Sequence, residues 1–255
     1  MDWKIVFIND GSTDDTLAAI RALREETDSR VKVISLSRNF GYHSVLVASL
    51  TSRESDLYCI IDVDCEDPPE LIEKFYEEIK NGAQTAYGDR SRRDEPGWLV
   101  FWRRLFYYIN RWIADAPIKL WMAEFSMITR LVRDAILKSR TTYPFLRAQM
   151  GYVGYKMAAV PYLHASRHHG VSHYNFLSMT RFAVAGFLSY AFGGFFLLWS
   201  LLVRPGLLLE GAMAAVLSLL FLLLSMPMIA LYLARTYKDV SGRPIYFIDP
   251  DSAFL

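Results

Sequence analysis

The chain has 255 residues, a formal net charge of +1 and 53% hydrophobic residues. This length allows one sizeable α/β domain with a small appendage, and the near-neutral charge excludes a general electrostatic attraction to nucleic acid. The two cysteines, Cys59 and Cys65, match no zinc or redox spacing and give no sign of an oxidising compartment, and we expect Cys59 to pack in the core.

Strand and helix patterns alternate over roughly the first ninety residues. In chain order, they predict strand 4–9, helix 14–26, strand 31–36, helix 43–50, strand 56–62, helix 68–80 and strand 84–88. Such an alternation is typical of a doubly wound parallel sheet. Farther along, the pattern predicts a strand at 122–128, a helix at 131–138 and a strand at 152–160.

Two carboxylates mark the end of the strand predicted at 56–62. Its continuous apolar run indicates a buried strand, and the run stops at Asp62 and Asp64. Side chains two positions apart in extended backbone point the same way, and open α/β sheets bind ligands at the carboxyl ends of their strands. The pair therefore suits a hard divalent cation that also takes phosphate oxygens, although a solvated turn is the simpler alternative.

Three segments suit a membrane. Residues 98–114 interleave aromatic side chains with arginines, which is typical of an amphipathic helix at the bilayer interface or of a helix packed on the domain with a charged outer face. Residues 182–203 and 211–234 are uncharged and apolar, and each is long enough to cross a bilayer core of roughly 30 Å. A pair of buried core helices is the alternative to this hairpin.

Basic residues flank the outer ends of the predicted hairpin, so both ends are expected in the cytoplasm. The predicted organisation is a cytoplasmic domain at 1–175, a transmembrane hairpin at 182–234 and a cytoplasmic tail at 235–255.

Four separated motifs, at residues 7–16, 37–41, 62–70 and 87–90, resemble those of family 2 glycosyltransferases. With the paired hydrophobic segments, they resemble more narrowly the membrane-anchored polyprenyl-phosphate glycosyltransferases of the bacterial type. The resemblance covers nearly the whole chain, and the motifs are specific as an ordered set. It implies a nucleotide-sugar-binding, GT-A-like (Rossmann-like) α/β domain with a parallel or mixed sheet, followed by a two-helix transmembrane hairpin.

The resemblance also implies roles for individual residues. The residues expected to contact the nucleotide sugar are Asp10, Ser12, Arg38, Asp62, Arg167 and Ser172. Asp62 and Asp64 are expected to bind Mg²⁺ or Mn²⁺, which would neutralise charge on the departing diphosphate. Catalytic roles fall to Asp64, Glu124 and Arg90.

For Arg90 the implied role has an alternative, and for Glu124 the residue type differs from that of the family. Arginines at the position of Arg90 hold phosphate groups in the family, while a juxtamembrane patch attracted to anionic lipid is the alternative. Residues 123–130 resemble the family's Gly-Asp-Phe-Arg-Leu segment beside the sugar pocket, with Glu124 in place of Asp and Ser126 in place of Arg. Residues 167–174 resemble a loop that closes over the donor at the membrane surface.

The implied reaction is inverting transfer of a sugar, with glucose favoured, from a nucleotide sugar to a polyprenyl phosphate. The resemblance implies an integral membrane protein of the bacterial inner (plasma) membrane, with its catalytic domain in the cytoplasm and the reaction at the cytoplasmic face. The lipid phosphate is anionic and can attack directly, so positioning and charge neutralisation carry catalysis. UDP-glucose is the favoured donor, and GDP-mannose is the alternative. A homo-oligomer is left open, and no nucleic-acid partner is expected.

The sequence leaves two alternatives to this transferase function. A processive polysaccharide synthase would carry a Gln-x-x-Arg-Trp motif, and the nearest segment, residues 108–112, lacks the Gln and comes too early. A non-catalytic membrane partner of a glycan-lipid pathway is the second alternative. The family begins with a further strand before the Asp-Gly-Ser strand, so we expect this polypeptide alone to be poorly active.

Overall fold

The computed structural model of the chain describes residues 2–26, 30–90, 121–139, 141, 144–162 and 236–250, with scattered positions between 219 and 234. The chain divides into two compact units. The larger consists of Met1–Arg104, Ala116–His168 and Gly242–Leu255, and the smaller of Leu105–Asp115 and His169–Ser241. The domain boundaries drawn from the sequence stay a prediction.

Strands and helices alternate in the larger unit over residues 5–89, as the sequence predicts for the first ninety residues. In chain order, its elements are β1 (Ile5–Asn9), α1 (Thr16–Glu26), β2 (Val31–Ser35), α2 (Tyr42–Thr51), β3 (Leu57–Ile60), α3 (Leu71–Lys80), β4 (Thr85–Asp89), β5 (Met122–Thr129), α4 (Arg130–Lys138), α5 (Leu146–Tyr152) and β6 (Met157–Pro161). Helix α5 was not predicted, because its seven residues are too few to establish a helical period.

The described strands form two sheets. β1 pairs with β2 in parallel, and the four other strands are ordered β3-β5-β4-β6. β5 is antiparallel to β3 and to β4, whereas β4 and β6 are parallel. The parallel or mixed sheet that the resemblance implies is therefore confirmed, and β5 is the strand that makes it mixed. The reason is that β5 begins beside the end of β4, where Asp89 pairs with Met122. The chain therefore re-enters the sheet at the same end at which β4 leaves it, and β5 must run in the opposite direction.

Alternating residues of β5 serve two apolar clusters on opposite faces of its sheet. On one face, Ala123, Phe125 and Met127 pack with α3, where Phe75 meets Phe125 with ring centroids 4.8 Å apart. On the other, Met122 and Ile128 pack with residues of α2, α4 and α5. Glu124 shares this second face by the same alternation, which places it toward α2 and α5.

Strand β3 is less buried than its apolar run predicts. Ile60 is buried, but Leu57 and Tyr58 are only partly so and Cys59 is exposed. The expected core position of Cys59 is therefore wrong. The physical reason is that β3, in the described part of the chain, pairs along one edge only, with β5.

A segment near the C-terminus covers the outer edge of β2. Leu36 forms an antiparallel bridge with Ile248, the N–H of Asp249 donates to the carbonyl of Ser35 at 2.8 Å, and Tyr246 packs on the cluster beneath α2. This segment thus belongs to the larger unit, beside the loop that follows β2.

The predicted interfacial helix at 98–114 and the membrane span at 182–203 lie outside the described residues, as does most of the span at 211–234. The described positions between 219 and 241 are helical. Within the described parts of the chain, no helix is both long and apolar enough to cross a membrane. The hairpin stays a prediction.

Candidate functional site

The acidic loop after β3 forms one wall of the candidate site. Asp62 is half-buried, and the Tyr42 hydroxyl donates to its Oδ1 at 3.1 Å. Burial raises the pKa of Asp62, and the nearby charges of Asp64 and Asp67 raise it further against the hydrogen bond from Tyr42. The structure therefore brings the two predicted metal ligands within electrostatic reach of one another.

The backbone of this loop is a turn rather than an extension of the strand. β3 ends at Ile60, Cys65 adopts a left-handed conformation with φ of 59°, and Asp64 Oδ1 accepts the N–H of Glu66 at 3.1 Å. The carboxylates are therefore presented by a turn, and their role as metal ligands stays a prediction. A pocket of about 230 Å³ lies beside it, lined by Ile61, Asp62 and residues 65–69.

Glu124 belongs to a second part of the candidate site, together with a residue that the sequence did not single out. Arg147 Nε lies 2.7 Å from Glu124 Oε1, although its N–H direction does not meet hydrogen-bond geometry. The second oxygen, Oε2, is buried without a hydrogen-bond partner in the described part of the chain. Burial raises the pKa of Glu124, Arg147 opposes that shift, and the charge of Asp62 adds to it, so Glu124 lies near the acidic loop.

Arg147 could have been suspected from its surroundings. It lies in the largely apolar stretch 144–150. An arginine in such a stretch is expected to be partly buried and to pair with an acidic side chain. Its neighbour Phe145 meets His43 of α2 edge-on, with ring centroids 5.7 Å apart. Burial and the positive charge of Arg147 lower the pKa of His43, which places α2 and α5 around the same region.

A second group of predicted residues gathers where β1 and β2 end. The Asp10 carboxylate accepts the N–H groups of Phe40 and Gly41 at 2.8 and 2.9 Å, and thereby holds the loop 38–41. Gly11 makes this approach possible, because a Cβ there would lie 2.4 Å from the carbonyl carbon of Arg38. The predicted contact of Asp10 with a nucleotide stays a prediction.

Ser12 and Arg38 flank this loop and are exposed. The Ser12 N–H donates to Asn9 Oδ1 at 3.1 Å, and the Arg38 guanidinium lies 4.1 Å from the ring centre of Phe40. The loop leads directly into Tyr42, the partner of Asp62, so the two groups of predicted residues are neighbours.

Arg90 is engaged by protein groups. Its Nη2 donates to both carboxylate oxygens of Asp67, at 2.9 and 3.0 Å, and its Nε donates to the Tyr162 hydroxyl at 2.7 Å. The Tyr162 hydroxyl donates in turn to Asp67. Burial and the hydrogen bond to Asp67 raise the pKa of Tyr162, which keeps that proton in place. Arg167 and Ser172 lie outside the described residues.

The residues present fit a cation held by few protein ligands. Over the described stretches, no group of three or more His, Cys, Asp or Glu side chains could hold a metal ion by itself. Mg²⁺ commonly binds through one or two carboxylates and takes its other ligands from waters and substrate phosphates, which the pair Asp62 and Asp64 matches. A cation would also offset the unfavourable charging of Asp62.

The chain is similar in sequence to several known proteins. Residues 1–140 match the profile of Glycosyl transferase family 2. The uncharacterized glycosyltransferase YkcC of Bacillus subtilis is 28% identical, over 97% of this chain and 83% of its own length. The undecaprenyl-phosphate 4-deoxy-4-formamido-L-arabinose transferase of Klebsiella pneumoniae is 26% identical, over 96% of this chain and 83% of its own.

The bactoprenol glucosyl transferase of Shigella phage SfII is 30% identical, over 96% of this chain and 86% of its own length. The mixed sheet and its helices fit the GT-A-like fold that the motifs imply. Because the matching profile spans more than half of the chain, the chain belongs to glycosyl transferase family 2 and is a glycosyltransferase.

Proposed function

We propose that this protein transfers a sugar from a nucleoside-diphosphate sugar to a polyprenyl phosphate, with inversion at the anomeric carbon. The observation that carries the proposal is the alignment, over 96% of this chain, with relatives whose names specify undecaprenyl phosphate or bactoprenol. Glucose is the favoured sugar and UDP the favoured nucleotide, since one of these relatives is named a glucosyl transferase.

The donor's diphosphate would lie between the loop 38–41 and the acidic loop. Asp62 and Asp64 would hold Mg²⁺ or Mn²⁺, which supplies charge neutralisation to the departing diphosphate. Asp10 keeps the loop 38–41 in place through two backbone hydrogen bonds, so Arg38 and Ser12 are presented beside the same region.

The acceptor needs no general base, because a phosphate oxygen is anionic at neutral pH and can attack the anomeric carbon directly. The protein's task is then to orient the two substrates and exclude competing water. Glu124 suits a sugar contact, because its buried Oε2 has no hydrogen-bond partner within the described part of the chain and could accept a hydroxyl hydrogen.

A place at the cytoplasmic face of the plasma membrane is part of the proposal. The described positions between 219 and 234 include exposed apolar side chains, among them Leu219, Leu223, Met226 and Leu233. Exposed apolar surface of this kind supports contact with lipid. Such contact would bring the catalytic unit to a substrate whose phosphate lies at the bilayer surface.

The test supplies UDP-glucose, GDP-mannose and other sugar nucleotides with a short polyprenyl phosphate and identifies the lipid product by mass. We expect addition of one sugar, which also separates this function from a processive synthase. Asp64→Ala should abolish the product, whereas Asp56→Ala, at a fully exposed aspartate before β3, should not. Full turnover by Asp64→Ala would show that the metal assignment is wrong.

A further inference from the structure

Three side chains from the ends of three strand segments meet in one buried cluster. Asp67 lies in the loop after β3, Arg90 follows β4 and Tyr162 follows β6. The Asp67 side chain is 1% exposed, and it receives Arg90 Nη2 and the Tyr162 hydroxyl. Arg90 Nε closes the cluster by donating to Tyr162 at 2.7 Å. Every pair within this triad of Asp67, Arg90 and Tyr162 is therefore hydrogen-bonded.

Strand β4 is shaped to admit the triad. A Cβ on Gly88 would lie 2.6 Å from the Cε1 atom of Tyr162, so only glycine leaves room for that ring. The N–H of Tyr162 also donates to the carbonyl of Asp89 at 3.1 Å, which aligns the residue with the end of β4. The position of Tyr162 is thus set by both backbone and ring packing.

The triad anchors one end of the acidic loop. Asp62 and Asp67 line the same pocket, and the left-handed turn at Cys65 lies between them. Asp62 is held at the other end by Tyr42. With both ends fixed, the loop 62–67 has little freedom to change the separation of its carboxylates. Groups that orient metal ligands without touching the metal commonly decide its affinity.

Arg90 is poorly placed to give up its partner. If Arg90 turned to a substrate phosphate, the carboxylate of Asp67 would remain buried without its cation, which is among the costlier changes in a protein interior. Arg90 Nη2 is shared by both oxygens of Asp67 and Nε donates to Tyr162, so both nitrogens are engaged within the cluster.

We propose that the triad of Asp67, Arg90 and Tyr162 positions the acidic loop for cation binding, with Arg90 acting through Asp67 and Tyr162 as a positioning residue. This rests on the proposed function, because it takes Asp62 and Asp64 as the cation's ligands. The triad acts through the loop and touches neither the cation nor the sugar nucleotide.

The test measures Mn²⁺ affinity of the full chain by electron paramagnetic resonance, without nucleotide. We expect Asp67→Asn and Arg90→Gln each to lower the affinity by about 10- to 100-fold. The double variant should lose no more than either single one, because each change disables the same cluster. Arg133→Gln, at another well-covered arginine with an acidic neighbour, is the matched control and should keep wild-type affinity.

Tyr162→Phe removes one oxygen and leaves the ring, so it tests the triad even where the charge variants fold poorly. We expect a loss of Mn²⁺ affinity of about threefold to tenfold, with the thermal midpoint recorded alongside. Wild-type Mn²⁺ affinity in folded Tyr162→Phe and Asp67→Asn would overturn the proposal.

The two proposals fail separately. If Asp62→Ala abolishes Mn²⁺ binding while the triad variants bind it normally, the triad has no positioning role and the proposed function stands. If the wild type forms no lipid-linked sugar with any donor, the proposed function fails, whatever the triad variants do to Mn²⁺ affinity.

Discussion

Arg147 of α5 lies against Glu124 of β5, with 2.7 Å between Nε and Oε1. The Glu124 side chain is only 11% exposed; burial raises its pKa, and Arg147 and, more weakly, Arg90 oppose that shift. The contact joins the short helix α5 to the sheet at the point where the acidic loop approaches. A residue outside the recognised motifs thereby controls the electrostatics of one inside them.

Arg147→Met should destabilise the protein and slow turnover. The buried carboxylate of Glu124 would lose its cation, and we expect a cost of about 2 kcal/mol, below the value for fully buried pairs because Arg147 is partly exposed. Turnover should fall by about tenfold or more, since Glu124 loses its fixed orientation. Urea unfolding and the lipid-product assay measure the two effects.

Two variants serve as controls for that change. Arg147→Lys keeps the charge and should recover part of both losses. Arg130→Met removes an arginine from an exposed ion pair with Asp56 and should cost about 0.5 kcal/mol or less. If Arg147→Met proves as mild as Arg130→Met, the contact with Glu124 has no energetic importance.

Glu124 should make stability depend on pH in a definite direction. Burial raises the pKa of this carboxyl above its ordinary value, with Arg147 opposing the shift. The native state therefore keeps a proton at pH values where the unfolded chain has released it, and stability is lost as pH rises through that window.

Glu124→Gln removes this titration. In metal-free buffer, the wild type should lose stability relative to Glu124→Gln from about pH 4.5 upward, and the difference should level off above the raised pKa. Urea unfolding of both proteins at several pH values gives the difference. A wild type that gains stability relative to the variant as pH rises would contradict the expected sign.

Gly11→Ala should be more damaging than Gly242→Ala. Both glycines are left-handed, with φ of 64° and 60°, so alanine costs each about 1–2 kcal/mol in backbone strain. A Cβ at Gly11 would also meet the backbone of Arg38 at 2.4 Å, whereas nothing lies within 4 Å of one at Gly242.

We expect Gly11→Ala to cost about 3 kcal/mol or more in total, and to weaken nucleotide binding because the loop 38–41 must move. Urea unfolding and titration with UDP measure the two losses. Equal effects at the two glycines would mean that the close approach to Arg38 does not constrain the loop.

Asp249→Pro should weaken the coverage of β2. Proline removes the N–H that donates to the carbonyl of Ser35 at 2.8 Å, whereas Asp249→Ala keeps it. We expect proline to cost about 1–3 kcal/mol more than alanine, measured by urea unfolding. Indistinguishable unfolding curves would show that this segment adds nothing to the stability of the sheet.

Local sequence patterns predicted several residues of the candidate site, but they could not predict all of them. Short sequence motifs identify the acidic pair, the loop 38–41 and Glu124 by residue type and spacing. Arg147 was missed because its partner is distant in the chain. The same holds for Asp67. In the sequence it is one of several acidic residues in a turn, and only the structure shows that it binds Arg90 and Tyr162.

The amino-acid sequence by itself determined the order of the strands and helices other than α5, the acidic turn after β3 and the family, because periodicity and short motifs depend on near neighbours. Only the tertiary structure decided the direction of β5, the exposure of Cys59 and the partners of Arg90 and Arg147. These depend on which distant segments meet when the chain closes, and a sheet accepts a strand in either direction.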